Sequence, residues 1–559
     1  MNVPPSSTLG RPKDRADKDA SPRVHVAPAP LGVITELRGI RVSVGINPKC
    51  APTLKMGDLL TVRIATGQVV GEVVTIQRLQ HTAAELRLIA TLEEGSGAIT
   101  PGICEFPCIG AHAERCDASI VRALCEDRAD LRDEYDKQLL LDLACSTRDT
   151  TISLAFPPEK IFGRHLAVVG SSGSGKSCSV ARLVEQCSQH RSKVVLLDLT
   201  GEYEPLEGAV LHTHLGLSNR EMTNSSSVSL PFFQLTEADL VAILEPETPL
   251  QVSKLRAAVK TLKLLHLEPK LATEGVFPKA HREKRSYDQA LDDFKHELQE
   301  PENLFDIHRL PLQIELECVD MYRSQVETGL WGGINNEELT ACAGLIHRAE
   351  EVLTRGDFGP IFLPHAAPSL ITTLDSFLVD ESVSVLRVSC EFLPSVHHIR
   401  EIVANSIGRR MLELGRRRVF MEQPALLVID EAHQVLHDSV SEYNRDFPLD
   451  AYRVIAKEGR KYGLTLCIST QRPGDIPDDI LSQMGSFLVH RLVGSADRTI
   501  VERSTGVCDK EMLEDLPALA QGEALMLGGS FTRPLRVRMK LPHRQPYSHG
   551  PNYQTLWKR

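Results

Sequence analysis

The sequence predicts an α/β protein: a parallel-sheet core split by a helical insertion, with a small β-barrel in front of it. Three observations predict this. Short β-branched runs fill positions 32–92 and are broken by Gly or Pro about every ten residues. A buried-strand pattern, a glycine-rich loop and an amphipathic helical pattern follow one another from His165 to Cys187. Apolar strand runs then give way to a long helical stretch and return only near Val383.

The elements follow in order. Residues 1–29 contain five prolines and mixed charges with almost no apolar periodicity, which predicts a disordered extension. Residues 30–112 hold VITEL, IRVSVGI, LLTVRIA, QVVGEVVTIQRL and AELRLIA, and Arg41-Val42-Ser43-Val44 alternates with period two. Several short strands at that spacing predict a barrel. Residues 113–150 read as helical and acidic, a link to the next domain. The core occupies 113–236 with its linker and resumes at 371–545; residues 237–370 are the helical insertion, and 546–559 a C-terminal tail. In the insertion Leu255, Val259, Leu262 and Leu265 share one helix face.

Composition narrows the class. The chain has 559 residues, 63 Lys plus Arg and 74 Asp plus Glu, for a net charge of −11. That balance argues against coating nucleic acid over the whole surface but allows a local basic channel. The N-terminus has no apolar signal segment, and no apolar run is long enough to cross a bilayer, so a soluble cytoplasmic protein without membrane partners is expected. The 13 cysteines are expected to be reduced thiols. Cys104, Cys108, His112 and Cys116 match no standard zinc spacing, and buried structural thiols are the expectation there.

The chemistry is concentrated at three places. Gly170-Ser171-Ser172-Gly173-Ser174-Gly175-Lys176-Ser177 fits G-x4-G-K-[ST], a loop whose backbone N–H groups wrap a phosphate at a helix N-terminus. Lys176 is placed for the β- and γ-phosphates, Ser177 for Mg²⁺, and Cys178 follows in the same cradle. The run Leu426-Leu-Val-Ile-Asp430-Glu431 is a strand ending in two acids. There Asp430 is placed to hold Mg²⁺ and Glu431 to act as base for the attacking water. The next strand ends at Ser469-Thr-Gln471, so Gln471 is placed to sense the γ-phosphate, and Arg164, Arg453 and Arg460 are candidate charge stabilisers. The densest basic run, Gly408–Arg418, reads as a solvated helix end more readily than as a phosphate-binding surface.

These motifs together resemble the HerA branch of the HerA/FtsK superfamily of ring-forming DNA-translocating ATPases. The resemblance rests on the P-loop, on Leu197-Asp-Leu-Thr-Gly-Glu202-Tyr203, on Glu458-Gly-Arg460-Lys-Tyr-Gly463 followed by Ser469-Thr-Gln-Arg-Pro, and on Asp515–Gly528. It implies a RecA-like P-loop ATPase core and ATP with Mg²⁺ as cofactors. It further implies a homohexamer acting on double-stranded DNA, with an arginine supplied across the subunit interface. Arg164 matches one such family arginine, and Arg453 or Arg460 the second. The chain shows no convincing nuclease motif. The family pattern therefore implies a separate partner, a NurA-like nuclease or an antiphage-defence effector of nuclease or sirtuin-like NAD-consuming type. Two other readings stay open: an ATP-switched scaffold that activates a partner, and a secretion or conjugation motor.

Overall fold

The computed structural model describes residues 30–558 except 79–81, 127–137, 219, 300–303, 323–328, 357, 364–366, 438–448, 506–512, 530, 532 and 549–552. The expected N-terminal extension lies outside the described residues. The chain divides at Val121 into two compact units.

The first unit is the barrel. Its strands are β1 (Gly32–Arg38), β2 (Arg41–Ile46), β3 (Leu59–Ile64), β4 (Gly67–Arg78), β5 (Thr82–Glu93), β6 (Ile99–Pro101) and β7 (His112–Arg115). The order β2-β1-β7-β3-β4-β5 closes because β5 also pairs with β2, and β6 hangs on the outside of β5. Alternation does the sorting: Val42, Val44 and Ile46 of β2 point inward and the residues between them outward. Register shifts at Val70/Gly71 and Val73/Thr75 bend the long β4, a bend that closure of so few strands requires. The barrel runs to Arg115 rather than 112, because β7 pairs with both β1 and β3.

The helical reading of 113–150 is corrected. Among the described residues only Ala118–Glu126 is helical there; β7 precedes it, and a strand, β8 (Leu141–Ser146), follows. On one edge this strand pairs with the next one, Ser153–Phe156, with Leu141 level with Phe156 and Asp142 with Ala155. On the other edge Ala144, Cys145 and Ser146 pair with a strand near residue 537, and these two pairings decide between helix and strand. Cys104 and Cys108 are exposed, not buried. No group of His, Cys, Asp or Glu able to hold a metal occurs among the described residues.

The second unit is built on a twelve-stranded sheet. After β8 come β9 (Ser153–Phe156), β10 (His165–Val169), β11 (Lys193–Asp198), β12 (Val210–His214), β13 (Ser226–Ser227), β14 (Val385–Ser389), β15 (Ala425–Ile429), β16 (Leu464–Thr470), β17 (Met484–His490), β18 (Glu523–Gly528) and β19 (Leu535–Met539). The order is β13-β12-β14-β11-β15-β16-β10-β17-β18-β19-β8-β9. The strands from β13 to β17 are parallel, and those from β17 to β9 antiparallel. Strands β10, β11, β14 and β15 are buried along their whole length, which is why they read as apolar runs, interrupted in the interior only by Arg387 of β14.

Helices from Glu237 to Val379 fill the gap between β13 and β14. Their starts are capped by side chains: Thr236 and Asp239 form a capping box, and Thr248, Asn335 and Ser369 cap the helices Pro249–Leu267, Asn336–Thr354 and Leu370–Val379. The basic run lies on and just after the helix Ile399–Arg416 and is largely consumed internally. Arg409 pairs with the buried Asp239 at 2.9 Å, Arg410 with Asp375 at 2.8 Å, and Arg416 and Arg417 with Glu458 and Glu413.

Candidate functional site

The P-loop leaves the C-terminal end of β10 and winds into the helix Lys176–Ser188. Two close approaches dictate its glycines. A side chain on Gly170 would come within 2.6 Å of His490, and Gly175 sits at φ 115° with Gly522 only 3.1 Å from where its Cβ would stand. Positive φ and crowding together leave glycine as the residue that fits position 175. From beneath the loop, the Ser179 hydroxyl bonds His490 Nε2 at 2.9 Å, while His490 Nδ1 faces the Glu523 carbonyl at 3.0 Å. That carbonyl can only accept, so Nδ1 carries the proton and Nε2 accepts from Ser179. Burial holds this imidazole neutral, with its pKa down to about 4.

Strand order brings the acids to the loop. β16 lies between β10 and β15, with Val169 level with Thr470 on one side and Ile429 level with Ile468 on the other. The strand tips therefore present Gly170, Gln471 and Asp430 side by side. Gln471 links them: its Nε2 donates to Glu431 Oε1 at 2.8 Å, and its Oε1 accepts from the Ser172 hydroxyl. Glu431 itself sits at φ 47°, a left-handed conformation that a non-glycine residue adopts at a cost of order 1 kcal/mol and that clusters at functional sites. His433 Nδ1 stands 3.3 Å from Glu431 Oε2 and 3.3 Å from the Thr470 hydroxyl.

Asp430 is buried, and neither of its carboxylate oxygens has a hydrogen-bond partner among the described residues. The Tyr203 phenol and Ser469 hydroxyl stand beside it, and neither makes a hydrogen bond of good geometry among the described residues. An orphaned buried polar group costs about 1–3 kcal/mol, so a cluster of them marks a place shaped for something to bind. Burial first, and then the charges of Glu431, Glu202 and Asp198, push the Asp430 carboxyl up to about 7, opposed by the Ser469 hydroxyl. Burial likewise raises Glu431 and lowers Lys176, each opposed by the other's charge.

The sequence-predicted residues Gly170 to Ser177, Asp430, Glu431 and Gln471 thus converge on one site. Cys178 is half-buried on the first turn of the P-loop helix. The three arginines do not join them. Arg164 precedes β10 at its opposite end, six residues from Gly170, which at about 3.3 Å per residue is about 20 Å away. It packs against Gly485, where any side chain would overlap it. Arg460 is exposed at the same end of the sheet, beside the buried His165. Arg453 is half-buried and lies 3.6 Å from Asp479.

Two further residues shape the site. Asp198, at the tip of β11, accepts from the N–H groups of Gly201, Glu202 and Tyr203 at 2.8, 3.1 and 3.0 Å. Arg387, in the middle of β14 and fully buried, pairs with Asp198 at 2.7 Å and also reaches the Gly201 carbonyl. This pair folds the loop so that the Glu202 carboxyl comes against the Ser177 hydroxyl. A lone arginine inside the apolar run Val385–Ser389 is the sequence signal for such a buried partner, but the partner lies far away in sequence.

Known proteins share this core. The model of the "Helicase HerA, central domain" family matches residues 144–320. The DNA double-strand break repair helicase HerA of Sulfurisphaera tokodaii is 26% identical over 401 residues, 71% of this chain and 68% of the relative. The chain is a P-loop ATPase similar to the HerA helicases. The HerA helicase of Pyrococcus furiosus is 24% identical over 408 residues, covering 68% of this chain and 66% of its own length. The chain thus spans about two thirds of the length of these curated relatives. Among solved structures it is similar to the conjugative coupling protein TrwB, with 13% identity, a TM-score of 0.45 and coverage of 78% of this chain and 94% of that one. It is also similar to VirB4 of Thermoanaerobacter pseudethanolicus, with 14% identity, a TM-score of 0.44 and coverage of 75% and 98%.

Proposed function

We propose that this HerA-type ATPase is a motor that couples ATP hydrolysis to movement along double-stranded DNA, working as a homohexameric ring. The observation that carries the reading is the split of the chemistry between the two ends of β10 and β16. The P-loop, Asp430, Glu431 and Gln471 gather at one end, and Arg164 and Arg460 stand at the other. A site that needs arginine charge on the transferred phosphate would receive it from a neighbouring subunit. DNA as the track follows the printed function of the relatives, DNA double-strand break repair helicases.

In this reading Lys176 and the loop from Gly170 to Cys178 bind the triphosphate. The orphaned oxygens of Asp430 and the Ser177 hydroxyl fit a hard divalent cation, which takes oxygen ligands. Mg²⁺ held there would neutralise charge on the phosphates. Glu431 accepts the proton of the attacking water, and Gln471 holds the Glu431 carboxylate while its other end touches the P-loop at Ser172. Arg164, with Arg453 or Arg460, stabilises charge in the adjoining subunit's site. The nuclease or defence effector is a separate protein, and the motor feeds it DNA from the cytoplasm.

Displacement of a third strand from a linear duplex tests the motor directly. ATP-dependent displacement by the purified chain supports it; hydrolysis without displacement contradicts it.

A further inference from the structure

We propose that Glu202 is a positioning residue for the metal–nucleotide, its carboxylate holding the hydration shell of the cation that Ser177 and Asp430 bind. This deepens the P-loop ATPase reading above and rests on it.

Glu202 is held in place from both sides. Its N–H donates to Asp198, which Arg387 anchors at zero exposure. Its carbonyl accepts from the Tyr547 N–H of the C-terminal segment at 2.9 Å. That segment is itself tied down, through the His543 N–H to Glu185 at 3.0 Å and Arg544 to Glu207 at 2.8 Å. A backbone fixed this firmly delivers the side chain to one place, and that place is the Ser177 hydroxyl.

The carboxylate is also unfinished. Oε2 of Glu202 is buried and has no hydrogen-bond partner among the described residues, as is true of both oxygens of Asp430. Three carboxylates, Glu202, Asp430 and Glu431, crowd around the single ammonium of Lys176. Asp198, the fourth acid nearby, is already matched by Arg387. An excess of unmatched negative charge with unused acceptor oxygens is what a hydrated dication satisfies.

The contacts separate Glu202 from the hydrolytic glutamate. Glu431 is bonded to Gln471, and through it to Ser172 at the tip of the loop. Glu202 instead meets Ser177, the residue whose hydroxyl serves the metal in this motif. Acceptors that act through a ligand or its bound water typically change metal affinity by about 10- to 100-fold.

The test is ADP binding by the full chain, measured by calorimetry with saturating Mg²⁺ and with EDTA, for wild type, Glu202→Gln and Glu202→Ala. The factor by which Mg²⁺ tightens ADP should fall about tenfold in both variants, while affinity in EDTA and the nucleotide-free melting curve stay as in wild type. An unchanged Mg²⁺ factor in a folded variant overturns the proposal. An equal loss with and without Mg²⁺ also overturns it, and so does failure of the isosteric Gln variant to fold, since either makes Glu202 a structural residue. Wild type that binds no ADP under either condition would instead sink the P-loop reading.

Discussion

Gln471 Nε2 donates to Glu431 Oε1 at 2.8 Å, and the same side chain accepts from Ser172 on the P-loop. One amide therefore spans the two halves of the site, tying the residue that would meet the attacking water to the loop that would hold the phosphates. Both contacts are lost in Gln471→Ala, and turnover should fall by roughly 10²-fold with nucleotide affinity nearly unchanged. Steady-state hydrolysis beside equilibrium binding checks this. A parallel loss of binding would make Gln471 a loop brace.

The buried pair Arg387–Asp198 supports the Glu202 loop rather than the chemistry itself. Arg387→Met removes the cation and leaves Asp198 buried with no charge partner, so unfolding free energy should drop by about 3–5 kcal/mol. The double change Arg387→Met with Asp198→Asn should recover part of that loss, because no bare charge remains. Denaturant titrations of the wild type and the two variants measure both numbers.

His490 gives the core a pH dependence with a definite sign. Its folded pKa lies near 4, below the ordinary 6.5, because burial disfavours the imidazolium and Glu523 only partly opposes this. The neutral ring's contribution is fully present above pH 6.5 and is lost as pH falls from 6.5 towards 4, by about 3 kcal/mol at the end. Asp430 titrates in the opposite sense, so the His490 part is read from the difference between wild type and His490→Gln. The two stability curves should converge as the pH is lowered; parallel curves would mean that His490 is not the group responsible.

Much of this site was legible because its chemistry is local in sequence. Gly170–Ser177 and Asp430-Glu431 are contiguous, and the buried parallel strands that carry them are unbroken apolar runs. Gln471 was placed by its position at the end of the next strand. What escaped depends on contacts distant in sequence. Arg387 and Asp198 meet across 189 residues, and neither predicts the other. Leu141–Ser146 is a strand because it pairs with Ser153–Phe156 on one edge and, through Ala144, Cys145 and Ser146, with Met539, Arg538 and Val537 on the other; by its own leucine spacing it reads as a helix. Arg409, Arg410 and Arg416 found acidic partners on other helices, which a charge run cannot reveal.

The barrel should behave as an ordinary close-packed core. Leu60 is fully buried in it, on β3 between β4 and β7. Leu60→Ala should cost about 2–5 kcal/mol. Limited proteolysis followed by mass spectrometry should show cleavage appearing first within residues 30–115, with the ATPase unit cut no faster than in wild type.

The most direct measurement is steady-state ATP hydrolysis by the purified chain, with and without linear duplex DNA, beside Glu431→Gln. The motor account predicts hydrolysis that duplex DNA strongly stimulates. It also predicts that Glu431→Gln abolishes this hydrolysis while still binding nucleotide. Hydrolysis indifferent to DNA, or turnover that survives Glu431→Gln, would contradict it.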